Sequence, residues 1–382
     1  MLKQACKWLL LFCLCGGFAG LSSAFFLHGL AFVTDARTHH HSLLLGLPFF
    51  GLFIGWLYHR FGQGIEQGHA LILQEIKTPT KPIPLKMAFL VFSTSLMTHL
   101  VGGSSGREGV AVQMSGALSD QLRRWVSLSE EERKLLLVCA VSAGFGAIFG
   151  TPIAGAIFGW EVASAYQNIW YILPCLLVAT IAHLIAGSCG ITHSIYLVPF
   201  IPPLSTFTFI SSVILGTVCG IVALWYNYGM TWVCTLFMRY VSYPPYRPFL
   251  GGLALVIMLY PFATSPYVGL GLPTLSSAFQ TPLHGWAWLA KMGATWLTLG
   301  SGFKGGDVTP LFFVGATLGN MLSSYLSLPL PVLVGLGFTC VFSSVYRVPI
   351  TGFCLSVSLF GLGIAPLSLV ALLVGFCIQK LR

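Results

Sequence analysis

Apolar residues gather into long runs separated by short polar breaks, and the runs have the length of membrane-crossing helices. The clearest extend from Trp8 to Val33, His41 to Tyr58, Met87 to Val101, Leu135 to Phe149 and Ile169 to Ile185. Later ones extend from Phe207 to Tyr226, Phe249 to Ala263, Trp286 to Leu299, Leu330 to Val345 and Pro366 to Ile378. Several approach or exceed the ~20 residues that cross a bilayer core. Shorter apolar pieces lie between them: His69 to Ile76, Gly109 to Leu118, Pro152 to Trp160 and Pro310 to Met321. The pattern predicts an all-α polytopic membrane protein. A water-soluble fold would need far more polar surface than a chain that is 56% hydrophobic and 8% charged, with mean hydropathy +0.85, can supply.

Lys3, Lys7 and the apolar run behind them mimic a secretory signal, but the run continues to Val33 without a convincing cleavage site, so it reads as the first span. Lys and Arg flank the spans unevenly. Lys3 and Lys7 precede the first, and Arg60, Lys77, Lys81 and Lys86 follow the second, while the loop between carries only Arg37 and three histidines. This bias predicts a cytoplasmic N-terminus. It also accounts for most of the net charge of +9, which is therefore weak testimony for an anionic substrate. The eleven cysteines are scattered with no C-x-x-C pair and read as small hydrophobes. His39, His40 and His41 read as a solvated loop, since no acids cluster beside them. No metal, cofactor or nucleic-acid partner is expected.

One stretch breaks the pattern. Gly102-Gly103-Ser104-Ser105-Gly106-Arg107-Glu108-Gly109 places a carboxylate between glycines, in a chain with only ten acids. Charge at membrane depth costs at least roughly 2.5–3.5 kcal/mol, so Glu108 is a functional candidate. A second glycine-rich break, Gly300 to Pro310, echoes the first: at a constant offset Gly106 meets Gly305, Glu108 meets Asp307 and Gly116-Ala117 meets Gly315-Ala316. A further pair follows in the same order, Phe149 to Gly155 with Tyr346 to Gly352. Two ordered echoes predict two homologous membrane halves, about 1–190 and 200–382, with no soluble regulatory domain. Non-helical backbone at membrane depth persists only where protein buries it or where it lines a cavity, and broken helices in matching places mark a transporter's midplane site. Helix N-termini offer unpaired N–H groups and partial positive charge, and glycine lets an ion approach them closely. The expectation is an anion site between opposed helix N-termini.

These residues resemble the CLC family of chloride channels and proton-coupled anion antiporters. Gly106 to Gln113 (GREGVAVQ) is similar to the family's G-R-E-G-P-x-V-Q motif, whose glutamate is gate and proton carrier; Gly305 to Pro310 (GGDVTP) resembles G-G-x-F-x-P, whose amides bind the anion. Ala143 to Glu161 resembles a third signature, ending in a glutamate. The resemblance implies the CLC fold, with two inverted-topology repeats, helices of uneven length, a homodimer and one pore per subunit. It implies an anion site at Gly106, Arg107, Gly109, Gly305, Gly306, Asp307, Val308 and Thr309, with Glu108 as the gating, proton-carrying residue.

Within the family, the run from Gly302 to Ala316 is similar to the bacterial branch that exports fluoride in exchange for protons, which carries an acid and a threonine where Asp307 and Thr309 stand. The chloride members' G-S-G-I-P motif is absent. Its place falls either at Gly62-Gln63-Gly64-Ile65 or at Gly68-His69-Ala70-Leu71, and the second register puts His69 beside the ion path. Val162 stands where chloride exchangers often carry a second glutamate, and no counterpart of the family's C-terminal anion-coordinating tyrosine is evident. Arg107 reads as a brace for its loop, Glu161 as structural or dimer-facing, and the aromatics receive no specific role. Thr309 before Pro310 reads as an N-cap and N1 pair, about evenly balanced against a hydroxyl facing the anion; Asp307 reads as a backbone donor with its side chain a cap or buffer. The expected activity is fluoride export driven by protons, with a chloride channel or chloride/proton exchanger as the alternative.

Overall fold

The computed structural model describes residues 2–164, 168–194, 196–260 and 266–381. Among them are sixteen α-helices and no strands. In chain order these are α1 (Leu2–His39), α2 (Leu47–Phe61), α3 (His69–Lys77), α4 (Lys86–Leu100), α5 (Glu108–Ser119), α6 (Glu130–Phe149), α7 (Pro152–Val162) and α8 (Ile172–Ser188). Then come α9 (Thr206–Tyr240), α10 (Tyr246–Leu259), α11 (Leu272–Ala278), α12 (Ala287–Ser301), α13 (Val308–Leu322), α14 (Leu330–Tyr346), α15 (Pro349–Phe360) and α16 (Ala365–Lys380).

Every predicted apolar run became a helix, with three differences. The Phe207–Tyr226 run continues as α9 to Tyr240, because Tyr228, Trp232 and Leu236 extend the apolar surface without a breaker. The Phe249–Ala263 run is α10 only to Leu259, and 261–263 lie outside the described residues. Two short helices, α11 and α15, were not expected as elements of their own; each begins with proline in its first turn, where the missing N–H costs nothing.

Among the described residues, five helical segments are long and apolar enough to cross a membrane: Lys3–His39, His41–Phe61, Ile169–Ser188, Thr206–Tyr240 and Leu362–Lys380. Others are too short. α5, α7, α13 and α15 have 12, 11, 15 and 12 residues, or about 16–23 Å against a hydrocarbon core of about 30 Å. Of these, α5 and α13 follow the two glycine-rich breaks of the sequence.

The described chain forms two compact units, one of residues 1–33, 57–96 and 107–193, the other of 34–56, 97–106 and 194–382. In the first, α6 is the hub against which α5, α7 and α8 pack. Small residues set the spacing, as expected where lipid removes the hydrophobic drive between helices. A Cβ added to Gly144 of α6 would lie 2.5 Å from the Ser115 Oγ and 2.9 Å from the Ala111 carbonyl of α5. α6 opens on a capping box between Ser129 and Glu132. In its first turn the buried Arg133 donates to Asp120 (2.7 and 2.9 Å) and to Glu75 (2.9 Å). Burial opposes the charge on Glu75, but hydrogen bonds from Thr80, Arg133 and the Lys81 amide outweigh it and hold the carboxyl below its ordinary range.

In the second unit α13 and α14 cross so closely that a Cβ on Gly315 would stand 2.1 Å from the Gly337 carbonyl oxygen, and one on Gly337 would stand 2.2 Å from that of Gly315. α9 and α16 meet similarly at Gly216 and Ala371. α12 lies against α9, α10 and α13.

Candidate functional site

The first glycine-rich break is a tightly pinned loop. In the second unit, Gly103 N–H donates to the Thr98 carbonyl (2.8 Å), Ser104 N–H to Thr298 Oγ1 (3.0 Å), and Ser104 Oγ pairs with Thr295 Oγ1 (2.9 Å). Ser105 Oγ meets His99 Nε2 at 3.2 Å. The two breaks then join. Gly106 and Gly306 exchange both backbone hydrogen bonds, Gly106 N–H to Gly306 O at 2.5 Å and Gly306 N–H to Gly106 O at 2.9 Å. Gly305 fits only because it is glycine: a Cβ there would sit 2.5 Å from Ser105 Cβ and Oγ. Gly106, Gly305 and Gly306 are thus brought together, with the N–H groups of Gly106 and Gly306 spent on each other.

Immediately beyond each glycine a helix begins. Arg107 caps α5 with φ −112° and ψ −23°; Asp307 caps α13 with φ −116° and ψ −6°. The backbones match at an offset one residue larger than the sequence echo gives. Arg107 corresponds to Asp307, and Glu108 to Val308. The two acids are therefore not equivalent, contrary to the echo: Glu108 is the first residue of its helix, whereas Asp307 precedes its own. Gly106 pairing with Gly306, rather than Gly305, sets this alignment.

In the first unit Glu108 is buried (1% exposed) at the first turn of α5. Its Oε2 accepts the Arg107 N–H at 3.1 Å and its Oε1 lies 3.5 Å from Arg107 Nε, so the carboxylate folds back onto the Arg107 amide at the start of its helix. Arg107 also lies over the Phe149 ring, 6.0 Å from the centroid, and its Nε is buried with no hydrogen-bond partner among the described residues. Gly109 follows half-buried, and its carbonyl accepts from Gln113 Nε2 at 3.0 Å. His69 heads α3, half-buried, and the preceding Gly68 lies against the Gln113 amide, so this segment does pack beside α5.

In the second unit Val308 and Thr309 are buried in the first turn of α13 (both 2% exposed). Thr309 is not an N-cap. Since α13 starts at Val308, Thr309 is its second residue and Pro310 its third, and the capping assignment drawn from the Thr-Pro pair fails. Nor does Asp307 cap through its side chain. Its carboxylate accepts instead from two tyrosine hydroxyls, Tyr226 of α9 at 3.3 Å and Tyr346 at the end of α14. These tyrosines are functional candidates that stand in the sequence among the unassigned aromatics. Tyr346 carries one usable signal, its place at the head of the second echo.

In the second half of the third signature, Glu161 is buried in α7 with Val162 beside it. His39, His40 and His41 are exposed, and the described residues contain no metal-holding group of three or more His, Cys, Asp or Glu.

The family profile described as "Voltage gated chloride channel" matches residues 50–380. A "Chloride/fluoride channel protein" of Pseudomonas syringae pv. tomato is 38% identical, the match covering 99% of this chain and 85% of that protein. Among solved structures, a CLC-type fluoride/proton antiporter superposes with TM-score 0.94 at 31% identity, covering 100% of this chain and 97% of that one. A slow cyanobacterial Cl⁻/H⁺ antiporter superposes with TM-score 0.87 at 17% identity, covering 98% and 94% of the two chains, and shares the fold. Broken helices, glycine-rich breaks and these likenesses define an anion transporter. The chain belongs to the voltage-gated chloride channel (CLC) family, and its fold is the CLC fold.

Proposed function

We propose that the protein exports fluoride across the bacterial inner membrane in exchange for protons, as a homodimer with its N-terminus in the cytoplasm and one pathway per subunit. The observation that carries the reading is Glu108, a buried carboxylate folded onto the Arg107 amide at the start of its own helix. A carboxylate there competes with an anion for the same N–H groups. When a proton neutralises it, those groups are released to the anion, so proton uptake and anion movement are coupled. The amides of Gly109, Gly305 and Val308 are assigned as donors, the Gly106–Gly306 pair, whose N–H groups bond each other, fixes the breaks, Arg107 holds the turn, and His69 lines the path.

Selectivity for fluoride rests on Asp307 and Thr309. Fluoride is small and strongly hydrated, so stripping its water requires short, strong donors, and the Thr309 hydroxyl adds one to the amides. Asp307, held by two tyrosines, fixes the turn that presents them. The fluoride named for the relative and for the antiporter structure agrees with this assignment. Val162, where chloride exchangers often place a second acid, favours a pathway in which Glu108 alone carries the proton. The two glycine-rich breaks mark two inverted repeats of common origin.

Efflux from proteoliposomes loaded with fluoride and chloride, read with ion-selective and pH electrodes together, tests the reading. Fluoride efflux should exceed chloride efflux and draw protons inward, and Glu108→Gln should abolish proton uptake. Chloride-favouring flux would replace the reading with a chloride channel or exchanger. Undiminished proton uptake in Glu108→Gln would move the carrier to Asp307.

A further inference from the structure

Arg37 stands in the last turn of α1 and borders a cavity of about 320 Å³ that no part of the proposed mechanism uses. Within the second unit this cavity lies between the residues that close α1 and the turn that leads into α11, with Thr34, Thr38, His41, Val268 and Thr274 in its lining. No Asp or Glu is among the described residues that line it. Asp35, the nearest acid along the chain, is exposed and faces His39 at 3.6 Å.

The guanidinium is left without protein partners. Arg37 Nη1 is buried with no hydrogen-bond partner among the described residues, and none of the ion pairs among them involves Arg37. Its neighbour is Gly269, where a Cβ would stand 2.1 Å from Nη1 and 3.0 Å from Cζ, so the guanidinium rests on bare backbone. The acceptors of that backbone are engaged by another side chain. Lys291 of α12, wholly buried, donates to the Tyr267 carbonyl at 3.0 Å and to the Gly269 carbonyl at 2.5 Å. Buried donors are nearly always paired, and a guanidinium with no acceptor beside a cavity suits an acceptor that comes from outside.

The cavity abuts the first glycine-rich break. The Gly269 N–H donates to the Gly102 carbonyl at 3.2 Å. A Cβ on Gly102 would stand 2.6 Å from Val268 Cγ1, 2.9 Å from Leu44 Cδ1 and 3.6 Å from Arg37 Cδ. The backbone that walls the cavity at Gly102 therefore runs directly on to Gly106. With the N-terminus in the cytoplasm, the loop after the first span faces outward.

We propose that Arg37 holds a hydrated inorganic anion, fluoride or chloride, in an outer vestibule beside the break. The guanidinium supplies charge and donors, and the cavity has room for several waters, so the ion keeps much of its shell. A site of this kind attracts by charge and does not dehydrate. It takes both halides alike and leaves selectivity to the break itself. Occupancy of the site rests on the surroundings of Arg37; its place on the exit route rests on the fluoride-export reading.

The test puts a thiol in the cavity lining by Thr38→Cys and labels the purified protein with an anionic or a cationic methanethiosulfonate. The adduct is read by mass on the peptide that carries position 38, apart from the other cysteines. One charge a few ångström away in water shifts the local concentration of a monovalent reagent roughly three-fold, in opposite senses for the two signs, so the anionic reagent should react roughly ten-fold faster relative to a free thiol. Adding Arg37→Gln should lower that ratio several-fold, and Arg37→Lys should keep it. Sodium fluoride and sodium chloride, each exchanged for gluconate at constant ionic strength, should slow the anionic reagent with saturation at similar concentrations. Arg37→Gln should abolish that protection. A ratio near one, protection that never saturates, or protection that survives Arg37→Gln would overturn the site, and a strong preference for either halide would overturn the hydrated ion. Should Arg37→Gln fail to fold, saturable protection in Thr38→Cys alone supports the site and its absence refutes it. None of these outcomes needs transport. In proteoliposomes, Arg37→Gln should slow fluoride efflux several-fold without altering the fluoride-to-chloride flux ratio, and unaltered efflux would remove the site from the route. If the wild type moves no fluoride, the export reading and the exit role fall together, while the labelling still decides whether an anion binds at Arg37.

Discussion

Replacing Tyr346 by phenylalanine removes one hydroxyl and nothing else from the turn that opens α13. That hydroxyl donates to the Asp307 carboxylate, whose second tyrosine donor, Tyr226, stands at a longer 3.3 Å. A hydrogen bond to a charged group contributes about 1.5–3 kcal/mol, and the loss is felt in full where water cannot replace it. Converted at about 1.4 kcal/mol per decade, Tyr346→Phe should lower the population of the ordered turn, and so fluoride affinity, roughly 10- to 150-fold. Tyr226→Phe should cost less, given its weaker geometry. The assay is fluoride titration of the purified protein by isothermal calorimetry, repeated in an Asp307→Asn background to complete a double-mutant cycle. If the hydroxyl acts through Asp307, the penalty shrinks in that background. An undiminished penalty would mean that Tyr346 works elsewhere, and an unchanged affinity in the single variant would refute the role of the tyrosine pair.

Further outcomes are expected at three positions. Because Thr309 is the second residue of α13 and not its cap, Thr309→Ala should leave the thermal midpoint near wild type, forgoing the ~0.5–2 kcal/mol that a lost cap would cost. The same change, like Thr309→Asn, should lower the fluoride-to-chloride flux ratio, whereas Thr309→Ser keeps it; an unaltered ratio would leave selectivity to the amides. Val162→Glu should not raise proton flux, and a large gain would mark the wild type as a degraded chloride exchanger. Glu75 has a folded pKa below its unfolded one, so its stabilisation is complete above the ordinary carboxylate range and disappears as pH falls through the folded value. The thermal midpoint should therefore drop in acid, and Glu75→Gln should lower the neutral-pH midpoint and flatten that drop.

What the sequence disclosed follows from how local each signal is. Glu108 was legible because an acid among glycines, inside an apolar chain, is costly to keep unless it serves chemistry, and α5 indeed begins on it. The spans were legible because lipid demands continuous apolar runs. The register of the two breaks was not, because the extra residue lies among glycines that align equally well in either frame; only the Gly106–Gly306 pairing resolves it. Tyr226 and Tyr346 were hidden for another reason. They come from helices far away in the chain, and an aromatic in an apolar run looks the same whether it meets lipid or a carboxylate.

The paired amides of Gly106 and Gly306 bear on how the protein can move. Each residue donates and accepts, so neither bond can open alone without stranding a buried donor and acceptor. The ring they close has no side chains that could slide or be repacked, and Ser105 presses on it from one side. It behaves as a rivet. The two glycine-rich stretches are then displaced together or not at all, and the moving parts of a transport cycle are left to be side chains swinging about fixed backbone. In hydrogen exchange the two amides should be lost in a single event, at one rate, however far apart they stand in the chain.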